Sequence, residues 1–449
     1  MYNTLYLPEL REMLAKHDDA ELREFCTALH PARTADFMDG LSEEEAWMVL
    51  RHADAERRMQ IFRYFDRERQ IKLIESGDRR EMAELIADLP PDDRVDILSD
   101  VAPGIVDELL SLVPADERRD IQRLQAFREG TAGALMTTEF ARLSEDLTVA
   151  EAREAVYRQS EELETIYYLY VVDQEDHLRG MLSWRELALA KPETHVGGIM
   201  ERDVVTVHAG TDQEEVARQV ARFDFLAIPV VDDEYRMLGI VTHDDVMDVV
   251  LEEATEDAQR VSGIEPLEND YLETRLFTIT WKRGFWLTFL FFAGMLTATT
   301  LKHFSVPLKR FEWLVYFIPL VIGSGGNTGG QSAALVITAL ARGNVTLGDW
   351  RRILRRELST GIFLGSFLSC IGYVFASMVA PSPLVALVVP LTVLLVVLAG
   401  TLLGSMLPLL FHRMGVDPAL ISNPFLAGMI DILGIVIYMT VASILLPPP

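Results

Sequence analysis

The sequence is poor in cysteine throughout, and poor in basic charge over its first 270 residues. Cys26 and Cys370 are the only cysteines among 449 residues. They lie in regions of different composition, which excludes a disulfide framework or a zinc spacing. Residues 1–270 carry 29 Lys+Arg against 62 Asp+Glu. Such a surface repels phosphate, so a nucleic-acid-binding N-terminal half is excluded. No Ser/His/Asp arrangement, phosphate loop or metal-ligand histidine pair is evident, and the nine histidines are scattered, so an enzyme is not expected. The start, MYNTLYLPELREML, has neither a basic beginning nor an apolar run, and no signal peptide is expected. Residues 271–449 reverse the balance, with 12 Lys+Arg against 6 Asp+Glu, inside a chain of net charge −27. That split excludes a single soluble globule. The length suggests about three units at roughly 150 residues each.

What the second part does have is long apolar runs. Five stretches, near 283–301, 311–341, 358–380, 383–411 and 419–446, each supply about the 20 residues that cross a ~30 Å hydrocarbon layer as a helix. Arg342, Arg351, Arg352, Arg355 and Arg356 lie between the second and third. Basic loops stay on the cytoplasmic side, which puts residues 1–280 in the cytoplasm and the C-terminus outside. Lys302, Lys309 and Arg310 on the outer side oppose this placement; Lys282, Arg283 and Arg413 on the inner side partly offset them.

Asp431 falls inside the fifth stretch, twelve residues beyond Ala419. A carboxylate at that depth costs about 2.5–3.5 kcal/mol on insertion scales. No Lys or Arg occurs at matching depth in the other stretches. Asp431 therefore reads as part of an ion pathway or proton relay, with a structural helix–helix hydrogen bond as the alternative. The second stretch contains GSGGNTGGQS (323–332). Five glycines, each weakening a helix by about 1 kcal/mol relative to Ala, predict local unwinding that exposes carbonyls to a wet cavity. Small residues for close helix packing are the alternative; a nucleotide loop fails because no GK[ST] follows. Asn423-Pro424 predicts another break and offers an amide oxygen. Carboxylate, amide and backbone oxygens without Cys, His or Met suit a hard divalent cation, and Mg²⁺, which keeps its waters, fits a lone carboxylate best. Two subunits across a two-fold axis would supply two carboxylates and ten helices.

The first part holds a repeat. IYYLYVVDQEDHLRGMLSWREL (166–187) resembles FLAIPVVDDEYRMLGIVTHDDV (225–246), with Gly180 and Gly239 at spacing 59. Leu135-Met136 and Ile199-Met200 precede the two copies, 64 apart. Strand, acidic turn, strand, short helix, twice over, is the pattern of paired cystathionine-β-synthase (CBS) domains. Residues 1–130 read as all helical, with starts such as PPDDR (90–94) and PADER (114–118) spaced 24, which suggests a small solenoid. Asp92 and Asp93 follow Pro as helix entrances do, so capping is their plain reading. A helix over 244–283 is expected to join the CBS pair to the membrane. In it Asp245, Asp248 and Glu252 share a face, with Glu256 next along. Asp92 and Asp96, at i,i+4, present a partner face, and divalent cations would bridge the two; a solvated acidic surface is the alternative.

This order, with GGNTGGQS in the second apolar stretch and DPALISNP beside a buried Asp in the fifth, resembles the bacterial MgtE magnesium transporter/channel family over nearly the whole chain. The resemblance implies a multidomain membrane protein: an all-α superhelical N domain (1–130), an α/β CBS pair (131–198 and 199–256), a long connecting or plug helix (244–280) and a five-helix transmembrane domain (281–449). It implies a homodimeric, Mg²⁺-selective channel of the bacterial inner membrane that closes when cytosolic Mg²⁺ is high. Asp431 would hold the hydrated ion in the pore, with the backbones of Ala427 and Gly434 and with Asn423 nearby. The sensor carboxylates would be Asp92, Asp96, Asp224, Asp245, Asp248, Glu253, Glu256 and Asp257. Some relatives have Asn where this chain has Gly330 and Thr where it has Ala334. Some bind ATP in the CBS cleft; the matching positions are Tyr168 and Phe225 for the adenine, and Arg185 and Glu186 for the ribose and phosphates. Two rivals would be a membrane-anchored nucleotide sensor without transport and a proton-coupled transporter in which Asp431 titrates.

Overall fold

The computed structural model describes residues 7–160, 163–267, 271–272, 274–417 and 423–446. The chain divides into two compact units, Met1–Val250 and Leu251–Pro449.

Among the described residues, the first unit opens with ten short helices between Leu7 and Leu124. Their N-caps fall at a strict interval of 12: Asp18, His30, Ser42, Asp54, Asp66, Asp78, Pro90, Ala102 and Pro114. The caps from Asp18 to Asp78 each accept a backbone N–H with a side-chain atom, which satisfies a donor that the first helical turn leaves orphaned. The core repeats with the same interval, since Ile61, Leu73, Leu85, Ile97, Leu109 and Ile121 are each no more than 2% exposed. A third position of the repeat ties successive helices. Arg58, Gln70, Arg94 and Arg118 donate to the carbonyls of Leu50, Phe62, Ile86 and Leu110, eight residues back. From the third helix on, each helix packs on the next but one, which winds the chain into a superhelix.

Two three-stranded sheets follow. β1 (Phe140–Leu143) lies parallel to β2 (Thr165–Val172), which runs antiparallel to β3 (Leu178–Ser183). β4 (Val207–His208), β5 (Ala227–Val231) and β6 (Met237–Thr242) repeat that order. The 59-residue spacing is reproduced in detail. Asp176 and Tyr235 both sit at φ 64° in the hairpin turns, and the two hairpins exchange backbone bonds, Leu178 N–H to Tyr235 O and Met237 N–H to Asp176 O. Gly180 and Gly239 are required by close approach. A Cβ would lie 2.7 Å from the Glu201 carbonyl at Gly180 and 2.5 Å from the Thr137 carbonyl at Gly239. The segment ahead of each copy thus crosses the strand of the other. Phe140, Tyr170, Leu178, Val231, Met237 and Ile240 form the apolar joint between the two copies.

The connecting helix is shorter than its sequence suggests. It spans His243–Val261, and the next helix begins only at Leu276. Gly263, at φ 74°, ends it with two return bonds, Gly263 N–H to Arg260 O and Ile264 N–H to Gln259 O. A glycine in left-handed conformation with Pro266 just beyond stops a helix whatever the pattern on either side.

In the second unit, Leu276–His303, Ile318–Ala341, Trp350–Val379, Val388–Arg413 and Asn423–Leu445 are the long helices. Four helical segments, all but Ile318–Ala341, are long and apolar enough to cross a membrane. Helix Ile318–Ala341 is diluted by its glycines, yet packs on Val388–Arg413 and Asn423–Leu445.

The glycine run is not unwound. Residues 323–332 lie in one uninterrupted α-helix, so the expected exposed carbonyls do not arise there. Close packing, the alternative reading, accounts for the glycines on one face. A Cβ on Gly400 would stand 2.5 Å from the Gly325 oxygen, and one on Gly404 only 2.1 Å from the Gly329 oxygen. Two small-xxx-small pairs therefore bring backbone against backbone. Gly361 and Gly365 repeat the device between Trp350–Val379 and Val388–Arg413, facing Thr401 Oγ1 and Leu394 Cδ1 at 2.6 and 2.8 Å. The Asn423-Pro424 step is likewise no internal break. It stands at the first described residues of the helix Asn423–Leu445, and the residues ahead of it, 418–422, lie outside the described residues.

Candidate functional site

The other face of the glycine helix is open. Gly323, Gly326, Asn327, Gly330, Gln331 and Ala334 form one wall of a groove of about 580 Å³, with Pro424, Ala427 and Asp431 opposite. Ala427 and Asp431 share a face because they are one helical turn apart. Ile430, beside Asp431, turns the other way and seals the helix against Gly325 and Gly329. Bareness at Gly326 gives the carboxylate its room: a Cβ there would be 3.9 Å from Asp431 Oδ1. Among the described residues no Lys, Arg or His pairs with Asp431. Gly330 and Ala334, where larger polar side chains are expected in some relatives, both face the groove. Gly434 does not line it; its α-carbon faces Val396. The Asn423 side chain lies outside the described residues.

The proposed sensor carboxylates fall into two groups. In the first unit, Asp92 is 8% exposed and its Oδ1 has no hydrogen-bond partner. Burial, then the charges of Asp245, Asp93 and Glu164, hold its carboxyl well above the usual range. Asp245 is pushed up to about 7 by burial and by Asp244, Asp93 and Glu164, against the bond it accepts from Thr242 Oγ1. Asp248 and Asp244 add negative charge at Asp93. Arg63 enters this set directly: its Nε lies 2.6 Å from Asp93 Oδ2, an ion pair without hydrogen-bond alignment, and Arg67 adds positive charge at Asp93 from farther off. Asp96 is exposed, one turn beyond Asp92 on the helix Pro91–Asp100. Asp224 caps the helix Gln213–Phe223 in left-handed conformation, its N–H bonded to Val220 O.

The second group sits in the second unit. Burial, then the charge of Asp417, raises the Asp257 carboxyl, with Glu253 and Glu256 also acting on it. Arg260 bridges the group, 2.6 Å from Glu256 and 2.7 Å from Asp417. Sequence reasoning missed Arg63, Asp93, Glu164 and Asp244 in the first group and Asp417 and Arg260 in the second. Asp93 and Asp244 adjoin chosen residues and were findable; nothing marks Glu164, which precedes β2, or Arg63.

Asp173, Glu175 and His177 come within 4.8 Å of one another. Here, though, Asp173 is the hairpin's own anchor. It accepts from the N–H groups of Glu175 and His177 and pairs with Arg179, which pulls its carboxyl down to about 2 against the cost of burial.

Of the nucleotide candidates, Tyr168 pairs with Ser183 across β2 and β3. Glu186 closes a capping box with Ser183. Both bonds fall on Oε2. Arg185 is exposed beside it, and Phe225 stacks on Phe223 at 5.4 Å.

The family MgtE, divalent cation transporter, matches residues 318–441, its intracellular N domain matches 29–130, and CBS domains match 132–193 and 196–252. A magnesium transporter MgtE of Thermus thermophilus is 42% identical over 346 residues, 77% of this chain and 76% of that one. The chain belongs to the MgtE family. A second member, the magnesium transporter MgtE of Bacillus subtilis, is 35% identical over 74% of each chain. Solved structures agree over the first unit. The soluble part of a magnesium transporter superposes with TM-score 0.53 at 34% identity, covering 55% of this chain and 97% of that one. The cytosolic domain of an Mg²⁺ channel MgtE in complex with ATP superposes with TM-score 0.51 at 37% identity, covering 54% and 98%. Like other MgtE proteins, this one is a membrane transporter and not an enzyme.

Proposed function

We propose that this MgtE protein is a homodimeric, Mg²⁺-selective channel of the bacterial inner membrane, with its N-terminal half in the cytoplasm and its C-terminus outside. Asp431 carries the reading, as an acid without a basic partner in a groove walled by glycines. A wall of glycines leaves space for an ion with its waters. Mg²⁺ releases water reluctantly, so a lone carboxylate that holds it through its hydration shell is better matched than a full protein cage. One protomer lines only part of such a conduit; a second copy across a two-fold axis completes it and doubles the acid. Ala427, one turn from Asp431 on the groove wall, offers its backbone oxygen, with Asn423 and, although it lies off the groove lining, Gly434 as further proposed donors. Mg²⁺ uptake into proteoliposomes tests this. Asp431→Ala is expected to reduce flux to the protein-free background while the protein still folds, whereas normal flux would remove the conduit. Uptake that follows a pH gradient in place of the Mg²⁺ gradient would favour proton coupling.

Closure by cytosolic Mg²⁺ is the second element of the reading. The two acidic groups repel themselves when empty, and bound ions would lower that repulsion, drawing the helix His243–Val261 to its neighbours. Asp92, Asp96, Asp224, Asp245, Asp248, Glu253, Glu256 and Asp257 are the proposed ligands, directly or through water. This is linkage, in which the ion favours the state that holds it more tightly. ATP is proposed to bind at Tyr168, Arg185, Glu186 and Phe225, where its phosphates would meet Arg185. Calorimetric titration with ATP of the wild type and of Arg185→Ala checks that site.

A further inference from the structure

Each acidic group contains an arginine in direct ion-pair contact with its carboxylates. Arg63 meets Asp93 at 2.6 Å. The charge of Asp93 first, then those of Glu164, Asp92 and Asp245, outweigh the burial of Arg63 and keep its guanidinium firmly charged. Arg260 spans Glu256 and Asp417, joining the connecting helix to the segment just before the last membrane helix. We propose that Arg63 and Arg260 are tethered counter-ions that compete with the divalent cation and set the concentration at which it binds.

The reasoning is electrostatic. Carboxylates left alone at these separations repel, and an ion that neutralises them gains the whole of that repulsion. A guanidinium already in place takes part of it and leaves less for the arriving ion. It also offsets repulsion in the metal-free chain, where two buried oxygens, Asp92 Oδ1 and Asp93 Oδ2, accept no hydrogen bond and only the second is ion-paired. A planar, permanently charged fork suits this role, since it cannot be silenced by deprotonation. Removing it has two opposite consequences. The metal-free protein loses stability, and Mg²⁺ binds more tightly to the more negative cluster. An arginine that only packs would give the first without the second.

The inference rests on the regulatory reading above, and the experiment separates the two. Thermal unfolding of the full-length protein in detergent is followed against MgCl₂ at fixed ionic strength, for the wild type, Arg63→Gln, Arg260→Gln and the two Arg→Lys variants. A ligand that binds the folded state raises the midpoint in step with its occupancy. If the wild type shows no Mg²⁺-dependent rise, the regulatory reading falls, and this inference with it. Given that rise, each Gln variant is expected to start from a lower metal-free midpoint and to reach half its rise at about three- to tenfold less Mg²⁺. Each Lys variant, still charged, should stay within about twofold of the wild type. An unchanged or higher Mg²⁺ requirement in the Gln variants overturns the proposal, as does a Lys variant that shifts as far as its Gln counterpart. The two clusters lie in separate units, so if one variant fails to fold the other decides.

Discussion

Ser332 Oγ donates a 2.6 Å hydrogen bond to Glu357 Oε2, joining the glycine helix to the helix Trp350–Val379. Both residues are buried, at 5% and 9% exposure. Glu357 is thus a second enclosed acid in the membrane unit, and its bond fixes the glycine helix one residue from Gln331 on the groove wall. Ser332→Ala should destabilise the protein by about 1–3 kcal/mol, since it strips a buried carboxylate of a donor. Thermal unfolding in detergent measures this, and an unchanged midpoint would mean that the bond is not formed.

Gly404 and Gly329 give a sharper steric prediction. Gly404→Ala would put a methyl 2.1 Å from a carbonyl oxygen of the neighbouring backbone, which cannot rotate away. Overpacking typically costs about 1–3 kcal/mol and more where backbone must move. Gly294→Ala, with nothing within 4 Å of the added carbon, should leave folded yield unchanged. Equal yields for the two variants, read by size-exclusion chromatography, would contradict the close seam.

Gly326 distinguishes folding from conduction. A Cβ there meets Ala427 Cβ at 3.4 Å and Asp431 Oδ1 at 3.9 Å, ordinary contact distances. Gly326→Ala should therefore fold, yet occupy room that the waters of a bound ion require. The expected result is a several-fold drop in Mg²⁺ flux with an unaltered unfolding midpoint.

The acids around Asp92 predict a pH dependence. Asp245 stands at about 7 in the folded chain against an ordinary 3.8, and Asp92 is raised as well. A carboxyl raised by folding holds its proton more tightly in the folded state. Its stabilising contribution is complete below pH 4 and is lost as the pH rises through about 7. With EDTA present, the unfolding midpoint should therefore fall as the pH rises from about 4 to about 7. Added Mg²⁺ should recover it, at lower concentration at pH 8, where fewer protons compete. A metal-free midpoint flat across that range would contradict the burial of these acids.

Much of the architecture was legible because it is written in periods. The 59-residue interval of the CBS copies appears directly in matched strings, and each sheet follows it. The solenoid was legible only in part: PPDDR and PADER, spaced 24, mark two turns of a 12-residue repeat whose other caps, Ser42, Asp54, Asp66 and Asp78, are not prolines. The glycine run misled in the other direction. Helix propensity predicts unwinding, but in this helix Gly325 and Gly329 are offset by backbone packing on Gly400 and Gly404, which no single-helix scale contains. Asp431 stood out because charge is scarce around it. Glu357 did not, because four arginines just before it disguise the point where the helix becomes buried. Arg63 and Glu164 were invisible for a related reason: their significance comes from distant segments meeting.

Where Gly325 and Gly329 meet Gly400 and Gly404, backbone lies directly on backbone, with the Val396 side chain closing against Gly325. The glycine wall of the groove is thus part of a tightly packed helix pair. Any widening has to be carried by a looser partner. The helix Leu276–His303, which contains no fully buried residue and begins well beyond Val261, where the connecting helix ends, is held by the rest of its unit far more loosely than that pair.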